Sequence, residues 1–232
     1  EYYPGGDLMQ VIRDQGAQSE AQTRLYLLQL AQGLHCLRER NLIHRDLKPQ
    51  NLLLSGVYPT GQLKIGDFGF ARYMQQEDLA ETLCGSPLYM APEILRFQKY
   101  DAKADLWSVG AIMFELLVAK PPYTGANHHQ LLRNIESKEP RMPSHISAAG
   151  KALLVGLLQR NPMGRLSFED FFSHSFLMTE PPPPQAAAGS ASALPAAGAT
   201  QPTFTPHETS AAFGVDAAAP PEHSRAPQDQ PP

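Results

Sequence analysis

The sequence contains little cysteine, no excess of charge of one sign and no long apolar run. Only two of its 232 residues are cysteines, Cys36 and Cys84, and their spacing fits neither a metal site nor a disulfide framework. A formal net charge of -4 gives no electrostatic footprint for nucleic acid or for an anionic membrane surface. The start shows no basic segment followed by an apolar run, and no stretch is long enough to span a bilayer. We therefore expect a soluble, cytoplasmic protein without a nucleic-acid partner.

The composition changes sharply after Leu177. From Pro181 onward the chain consists largely of Pro and Ala with Gly, Ser and Gln, and it carries Arg225 as its single basic residue apart from histidine. Such a segment cannot bury enough apolar surface to offset the entropy of ordering it. We therefore predict a folded domain over residues 1–178 and a disordered tail over 179–232, which serves as a linker or as part of a truncated regulatory region.

The apolar pattern up to Leu177 predicts a mainly α-helical (α+β) domain with a few short strands. A short helix is predicted to end near Gly16, and the capping pattern Ser19-Glu20-Ala21-Gln22 predicts a long amphipathic helix to about Arg40. The run that begins at Asp105 is apolar on nearly all sides, which is typical of a buried helix. The other predicted elements are a hairpin of 52–54 with 63–65 around a Pro59-Thr60-Gly61 turn, and helices over 129–135, 147–158 and after Ser167.

Two short segments carry the residues best suited to chemistry. The first is His44-Arg45-Asp46-Leu47-Lys48-Pro49-Gln50-Asn51, and the second is Asp67-Phe68-Gly69. The predicted hairpin brings Asn51 and Asp67 to the same edge of the domain. Two carboxylates, a lysine and an amide on short loops can hold a magnesium-bound polyphosphate beside an acceptor hydroxyl.

The order of these residues resembles the protein kinase family, in which His-Arg-Asp is followed by Lys and Asn at these spacings and then by Asp-Phe-Gly. The resemblance implies that Asp46 accepts the proton of the substrate hydroxyl. It implies that Lys48 neutralises charge on the transferred phosphoryl group, and that Asn51 and Asp67 bind Mg²⁺. Asp46, Lys48 and Asn51 are therefore the candidate catalytic residues, and ATP and Mg²⁺ are the expected cofactors.

The same resemblance implies where the nucleotide lies. The Glu1 carbonyl and the Tyr3 backbone match positions that bind adenine, and Asp7 matches a ribose contact. Leu53 matches the floor under the base. These four residues, with Asp67, are the candidate nucleotide-binding set.

Two matches farther along the chain concern its internal scaffold. Glu93, in Ala91-Pro92-Glu93, matches a glutamate that pairs with a distant arginine, here Arg165. Asp105 matches a buried aspartate that accepts N–H groups of the His-Arg-Asp turn. We interpret both pairs as structural and Trp107 as a core residue.

Regulation and substrate choice are also implied by the resemblance. Thr82 occupies the position at which a regulatory phosphate can dock on Arg45. Ser86 matches a hydroxyl that bridges Asp46 and Lys48. The lysine and the Gly-Ser-Pro segment favour serine and threonine over tyrosine as acceptors, so protein substrates are expected.

Within that family the sequence most resembles the autophagy-initiating serine/threonine kinases, specifically their plant and algal members. The segments that carry this likeness include Lys48-Pro49-Gln50-Asn51-Leu52-Leu53-Leu54 and Asp67-Phe68-Gly69-Phe70-Ala71-Arg72, with Lys99-Tyr100-Asp101-Ala102-Lys103-Ala104-Asp105 downstream. The likeness implies a kinase that responds to nutrient state and triggers autophagosome formation. It implies accessory subunits as partners and recruitment to autophagosome-forming membranes.

The resemblance covers Glu1 to about Leu177, which corresponds to the hinge and the large lobe of a kinase. A glycine-rich loop and a strand lysine have no counterpart, since the first lysine is Lys48. We interpret the chain as a fragment of a longer kinase, and it is this fragment that lacks the small lobe. Two other classes stay open: a non-catalytic interaction module built on a truncated kinase lobe, and a small-molecule phosphotransferase, against which Ala91-Pro92-Glu93 counts.

Overall fold

Helices are the main secondary structure of residues 2–56, 61–73 and 86–178, which are the residues that the computed structural model describes. The α-helices in these ranges are α1 (Leu8–Gln15), α2 (Glu20–Glu39), α3 (Pro92–Leu95), α4 (Lys103–Val118), α5 (His128–Ser137), α6 (Ala148–Leu157), α7 (Phe168–Phe172) and α8 (Ser175–Met178). The strands are β1 (Leu42–Ile43), β2 (Leu52–Leu54), β3 (Leu63–Ile65) and β4 (Arg72–Tyr73). The prediction of a mainly helical domain with a few short strands is confirmed.

Side-chain caps fix where several helices begin. The α2 helix starts as predicted, because the Gln22 N–H donates to Ser19 Oγ at 3.2 Å. The α4 helix starts at Lys103, before the predicted position at Asp105, because the Lys103 N–H donates to Asp101 Oδ1 at 2.8 Å. An aspartate two residues before the helix satisfies an N–H that the helix itself leaves without a partner.

The buried helix α4 is the centre of the core. Every residue from Ala104 to Leu117 is buried, and Trp107 is 1% exposed. Helices α2 and α6 both pack against α4. At the α6 contact, a Cβ on Gly110 would lie 2.9 Å from Leu157 Cβ, so only glycine allows this approach. The sequence of α4 is apolar on nearly all sides, which predicts a helix that is buried on all sides, and the structure confirms this.

Two antiparallel pairs of short strands flank the loops of the predicted site. Strands β2 and β3 pair with Leu52 opposite Ile65, which confirms these two strands, although residues 57–60 of the connection lie outside the described residues. Strands β1 and β4 pair with Leu42 opposite Tyr73, and this pairing was not predicted. No helix within 2–56, 61–73 and 86–178 is both long and apolar enough to cross a membrane.

Candidate active site

The three predicted catalytic residues converge on the carboxylate of Asp46, which is 3% exposed. Lys48 Nζ donates to Asp46 Oδ2 at 2.6 Å. Asn51 Nδ2 donates to the same oxygen at 3.1 Å and to the Asp46 carbonyl at 2.8 Å. The Ser86 N–H donates to Asp46 Oδ1 at 2.8 Å, so both carboxylate oxygens are held in place. The sequence led us to expect the Ser86 hydroxyl here, and the contact found is from its backbone.

The turn before Asp46 is fastened to the buried helix α4. Asp105 Oδ2 accepts the His44 N–H at 2.9 Å, and Asp105 Oδ1 accepts the Arg45 N–H at 3.0 Å. Burial raises the pKa of Asp105, and the charges and hydrogen bonds of His44 and Arg45 oppose that rise. Arg45 has a φ of 68°, which is uncommon for a residue with a side chain, and the two hydrogen bonds hold it there.

Asp67 is placed by the end of strand β3 and by its own local contacts. The Gly66 N–H donates to the Asn51 carbonyl at 2.8 Å, which ties the residue before Asp67 to the Asp46 loop. His44 Nε2 lies 2.9 Å from the Gly66 carbonyl. Asp67 has a φ of 56°, is exposed, and accepts the Gly69 N–H on Oδ1 at 3.2 Å. The structure therefore brings the neighbourhoods of Asn51 and Asp67 together.

Asn51 and Asp67 fit the ligand preferences of Mg²⁺. The amide nitrogen of Asn51 donates to Asp46, which leaves the amide oxygen as the atom that can face a cation. The described ranges hold no cluster of three or more His, Cys, Asp or Glu side chains suited to a metal. A small protein ligand set is typical of Mg²⁺, which takes most of its shell from phosphate oxygens and water.

Three of the four residues matched to the adenosine part of ATP lie among the described residues, and Glu1 does not. Asp7 and Leu53 pair in an isolated antiparallel bridge, so the start of α1 lies along strand β2. Asp7 Oδ1 also accepts the Gln10 N–H at 2.8 Å, which makes it the N-cap of α1. Leu53 is half-buried, and Tyr3 is half-buried as well. The structure gives Asp7 a capping function and leaves its second oxygen for other contacts.

The candidate phosphorylation site, Thr82, lies outside the described residues. Arg45, the residue expected to receive its phosphate, donates from Nε to the Phe70 carbonyl at 2.5 Å and from Nη1 to the Tyr100 hydroxyl at 3.5 Å. Its guanidinium thus links the Asp46 turn to the backbone just after Asp67-Phe68-Gly69.

A buried polar chain beside the site was not predicted. The Tyr89 hydroxyl donates to Glu115 Oε2 at 2.7 Å, and Ser108 Oγ donates to the Tyr89 carbonyl at 2.8 Å. Burial raises the pKa of Glu115, and the Tyr89 hydrogen bond opposes that rise. These hydrogen bonds anchor the segment that follows Ser86, and the Ser86 N–H in turn donates to Asp46. The available signal was a glutamate within an otherwise apolar helix, since such a side chain needs a partner.

Comparison with known proteins agrees with this geometry. Residues 1–177 match the protein kinase domain. The chain is 57% identical over 181 residues to serine/threonine-protein kinase ATG1b of Arabidopsis thaliana, covering 76% of this chain and 26% of that protein. It is 55% identical over 182 residues to serine/threonine-protein kinase ATG1a of the same plant, covering 76% of this chain and 29% of that protein. It is 48% identical over 198 residues to serine/threonine-protein kinase atg1 of Neosartorya fischeri, covering 72% of this chain and 21% of that protein.

The chain belongs to the protein kinase family, because the family match extends over most of its length. Its relatives include ATG1 serine/threonine kinases of plants and fungi. The chain spans between a fifth and a third of the length of these curated relatives.

Proposed function

We propose that this chain is the large lobe of a serine/threonine protein kinase that transfers the γ-phosphate of ATP to hydroxyl groups of protein substrates. The observation that carries the proposal is the Asp46 carboxylate, whose two oxygens accept hydrogen bonds from Lys48, Asn51 and the Ser86 N–H. A carboxylate whose two oxygens are both held in place is suited to orient a hydroxyl for in-line attack. The proposed kinase domain covers residues 1–178, and residues 179–232 form a tail.

Each proposed catalytic residue has one task. Asp46 orients the acceptor hydroxyl and receives its proton, while Lys48 offsets the negative charge that develops during transfer. Asn51 and Asp67 offer hard oxygen atoms to Mg²⁺, which when bound with ATP neutralises phosphate charge. The Asp105 contacts and the αL backbone of Arg45 keep Asp46 in position.

The nucleotide-binding assignments rest on the family resemblance and on the bridge between Asp7 and Leu53. Glu1 and Tyr3 would bind adenine through the backbone, Asp7 the ribose, and Leu53 the face of the base. Asp67 would meet the phosphates through the cation. A test is ATP affinity after Leu53→Asp, which places a charge under the base, with Val155→Asp on the exposed face of α6 as the control.

The biological setting is proposed from the relatives, which are named as ATG1 kinases. We propose that this chain acts in the initiation of autophagy, in the cytoplasm and at autophagosome-forming membranes, with accessory subunits as partners. Phosphorylation of Thr82, with docking of the phosphate on Arg45, is the proposed activating step.

The deciding experiment uses the protein made from the complete native gene, with a serine-containing and a threonine-containing peptide as acceptors. Asp46→Asn should lower kcat by ~10²-fold or more, as expected for a lost general base, while the circular dichroism spectrum stays that of a folded protein. Asp67→Ala should raise the Mg²⁺ concentration needed for activity. Asp14→Asn, on the exposed face of α1, is the matched control and should leave both quantities unchanged. Full activity of Asp46→Asn would contradict the catalytic assignment and would favour a non-catalytic interaction module.

A further inference from the structure

A cleft of about 300 Å³ lies between the C-terminal end of α4 and the segment that follows α5. None of the residues that line it belongs to the candidate active site. Its apolar wall is formed by Phe114, Val118, Pro121 and Pro122. We call it the basic groove, because Lys120, Lys138 and Arg141 also line it.

The walls of the basic groove are fixed by internal contacts. Helix α4 ends at Ala119, whose φ of 58° turns the chain into Pro121-Pro122. Asn134 Nδ2 on α5 donates to the Thr124 carbonyl at 2.6 Å, which ties the two walls together. A cleft of this size with a preformed shape is typical of binding sites.

Arg160 holds the segment after α5 in place. Its Nε donates to the Ile135 carbonyl at 2.6 Å, and its Nη2 donates to the Lys138 carbonyl at 2.7 Å. Its Nη1 pairs with Glu139 Oε1 at 2.7 Å. Arg160 therefore pairs with Glu139, the acidic residue that lines the groove, and fixes the backbone at Lys138.

The charge of the basic groove differs in sign from that of the whole chain. Lys120, Lys138 and Arg141 are exposed, and none of them forms an ion pair with another described residue. The whole chain carries a formal net charge of -4. A local concentration of unpaired cations on an acidic protein attracts ligands of opposite charge.

A buried aromatic ring also lines the groove. Tyr123 is 6% exposed, and its ring stacks on Trp107 with centroids 6.0 Å apart. Burial raises the pKa of the Tyr123 hydroxyl, and the charge and hydrogen bond of Arg160 oppose that rise. The Tyr123 ring therefore adds to the apolar lining of the groove.

We propose that the basic groove docks an acidic peptide segment of a partner protein, with an apolar side chain against Phe114 and Pro121 and with carboxylates at Lys138 and Arg141. The combination of an apolar wall and a cationic rim fits such a peptide. A nucleic acid or an anionic membrane would use the cations and leave the apolar wall without a partner. This inference does not depend on the catalytic assignment.

The test is a positional-scanning array of short peptides probed with the purified full chain. The expected result is enrichment of Asp and Glu beside Leu or Phe. The double variant Lys138→Glu with Arg141→Glu should lose this enrichment, because two attractive contacts become repulsive. The matched control is Arg13→Glu with Lys151→Glu, which changes the net charge equally at exposed positions outside the groove.

Titration of the best peptide, labelled with fluorescein, gives the size of each contribution. Reversal of Lys138 and Arg141 should raise Kd by ~10-fold or more, because two attractive contacts become repulsive. An array without acidic preference would overturn the proposal. Equal affinity after the apolar residue of the peptide is replaced by glycine would also overturn it. A third contrary result is that the double variant stops binding phosphatidylserine vesicles or single-stranded DNA but still binds the peptide.

Discussion

Arg165 and Glu93 form a two-point ion pair inside the helical core, although they are 72 residues apart in the sequence. Arg165 Nη1 lies 2.7 Å from Glu93 Oε1, and Arg165 Nη2 lies 2.9 Å from Glu93 Oε2. The two side chains are 0% and 3% exposed. Arg165 also stacks over the Trp107 ring at 5.3 Å and donates to the Lys103 carbonyl. The pair therefore joins helix α3, the start of α4 and the loop before α7.

Replacing Arg165 by methionine should lower the free energy of unfolding by about 3–5 kcal/mol, because Glu93 is then left as a buried charge without a partner. Urea titration followed by circular dichroism measures this loss. Arg96→Met breaks the partly exposed Arg96–Glu136 pair and should cost only about 0–1 kcal/mol. Equal losses in the two variants would mean that burial does not determine how much the Arg165–Glu93 pair contributes to the unfolding free energy.

Asp105→Asn tests how the Asp46 turn is held. Asparagine keeps one acceptor oxygen, so one of the two N–H groups of His44 and Arg45 loses its partner. We expect a loss of about 1–3 kcal/mol in unfolding free energy and faster hydrogen exchange at these two amides. Asp101→Asn is the control, since it accepts one N–H, from Lys103, and asparagine caps a helix about as well as aspartate. Unchanged exchange at His44 and Arg45 would contradict the prediction.

The sequence predicted the long elements well, for a physical reason, whereas the catalytic roles in the Asp46 segment stay predictions. Helices α2 and α4 are long enough for the spacing of their apolar residues to show whether one face or all sides are apolar. The capping pattern at Ser19 marks the start of α2 within four residues. The segment from His44 to Asn51 is recognisable because its spacing is fixed within a single loop. Local information was sufficient in each case.

Contacts between distant segments were harder to predict. Strands β1 and β4 have two residues each, too few for alternation to show, and they pair across an intervening hairpin. The Tyr89–Glu115 hydrogen bond and the basic groove depend on how helices pack, which no local pattern encodes. A buried glutamate indicates that a partner exists without indicating which residue it is.

Phe97 is a site where stability can be increased. It follows α3 with a φ of 57° and is 66% exposed, so its side chain contributes little packing. The Phe97 N–H donates to the Ile94 carbonyl and the Gln98 N–H to the Glu93 carbonyl, the hydrogen bonds of a cap that normally uses glycine. Phe97→Gly should raise the unfolding free energy by about 1 kcal/mol, because the left-handed conformation costs residues with a Cβ about that much.

Phe97→Ala is the matched variant, because it removes the same ring and keeps the Cβ. It should not be more stable than the original chain, and the glycine variant should exceed it by about 1 kcal/mol in the same urea titration. If alanine and glycine gave the same stability, the backbone conformation at Phe97 would not be the source of the cost.

Glu115 predicts how stability depends on pH. Burial raises its pKa above the ordinary 4.5, so the folded protein binds a proton more tightly than the unfolded chain does. The stabilisation from this difference is complete below the ordinary pKa and is lost as the pH rises through the folded value. Glu115→Gln cannot titrate, so the unfolding free energy of the variant should rise relative to the original chain over that pH interval. Urea titrations from pH 4 upward measure the difference.

The Tyr89→Phe variant tests the same account from the other partner. The Tyr89 hydroxyl donates to Glu115 and lowers the pKa of that carboxyl, so its removal should move the folded pKa higher. The pH interval in which the chain loses stability should then extend upward, opposite to the flattening expected for Glu115→Gln. Parallel pH profiles for the original chain and both variants would show that Glu115 binds its proton equally in the folded and unfolded states, which would contradict the raised pKa.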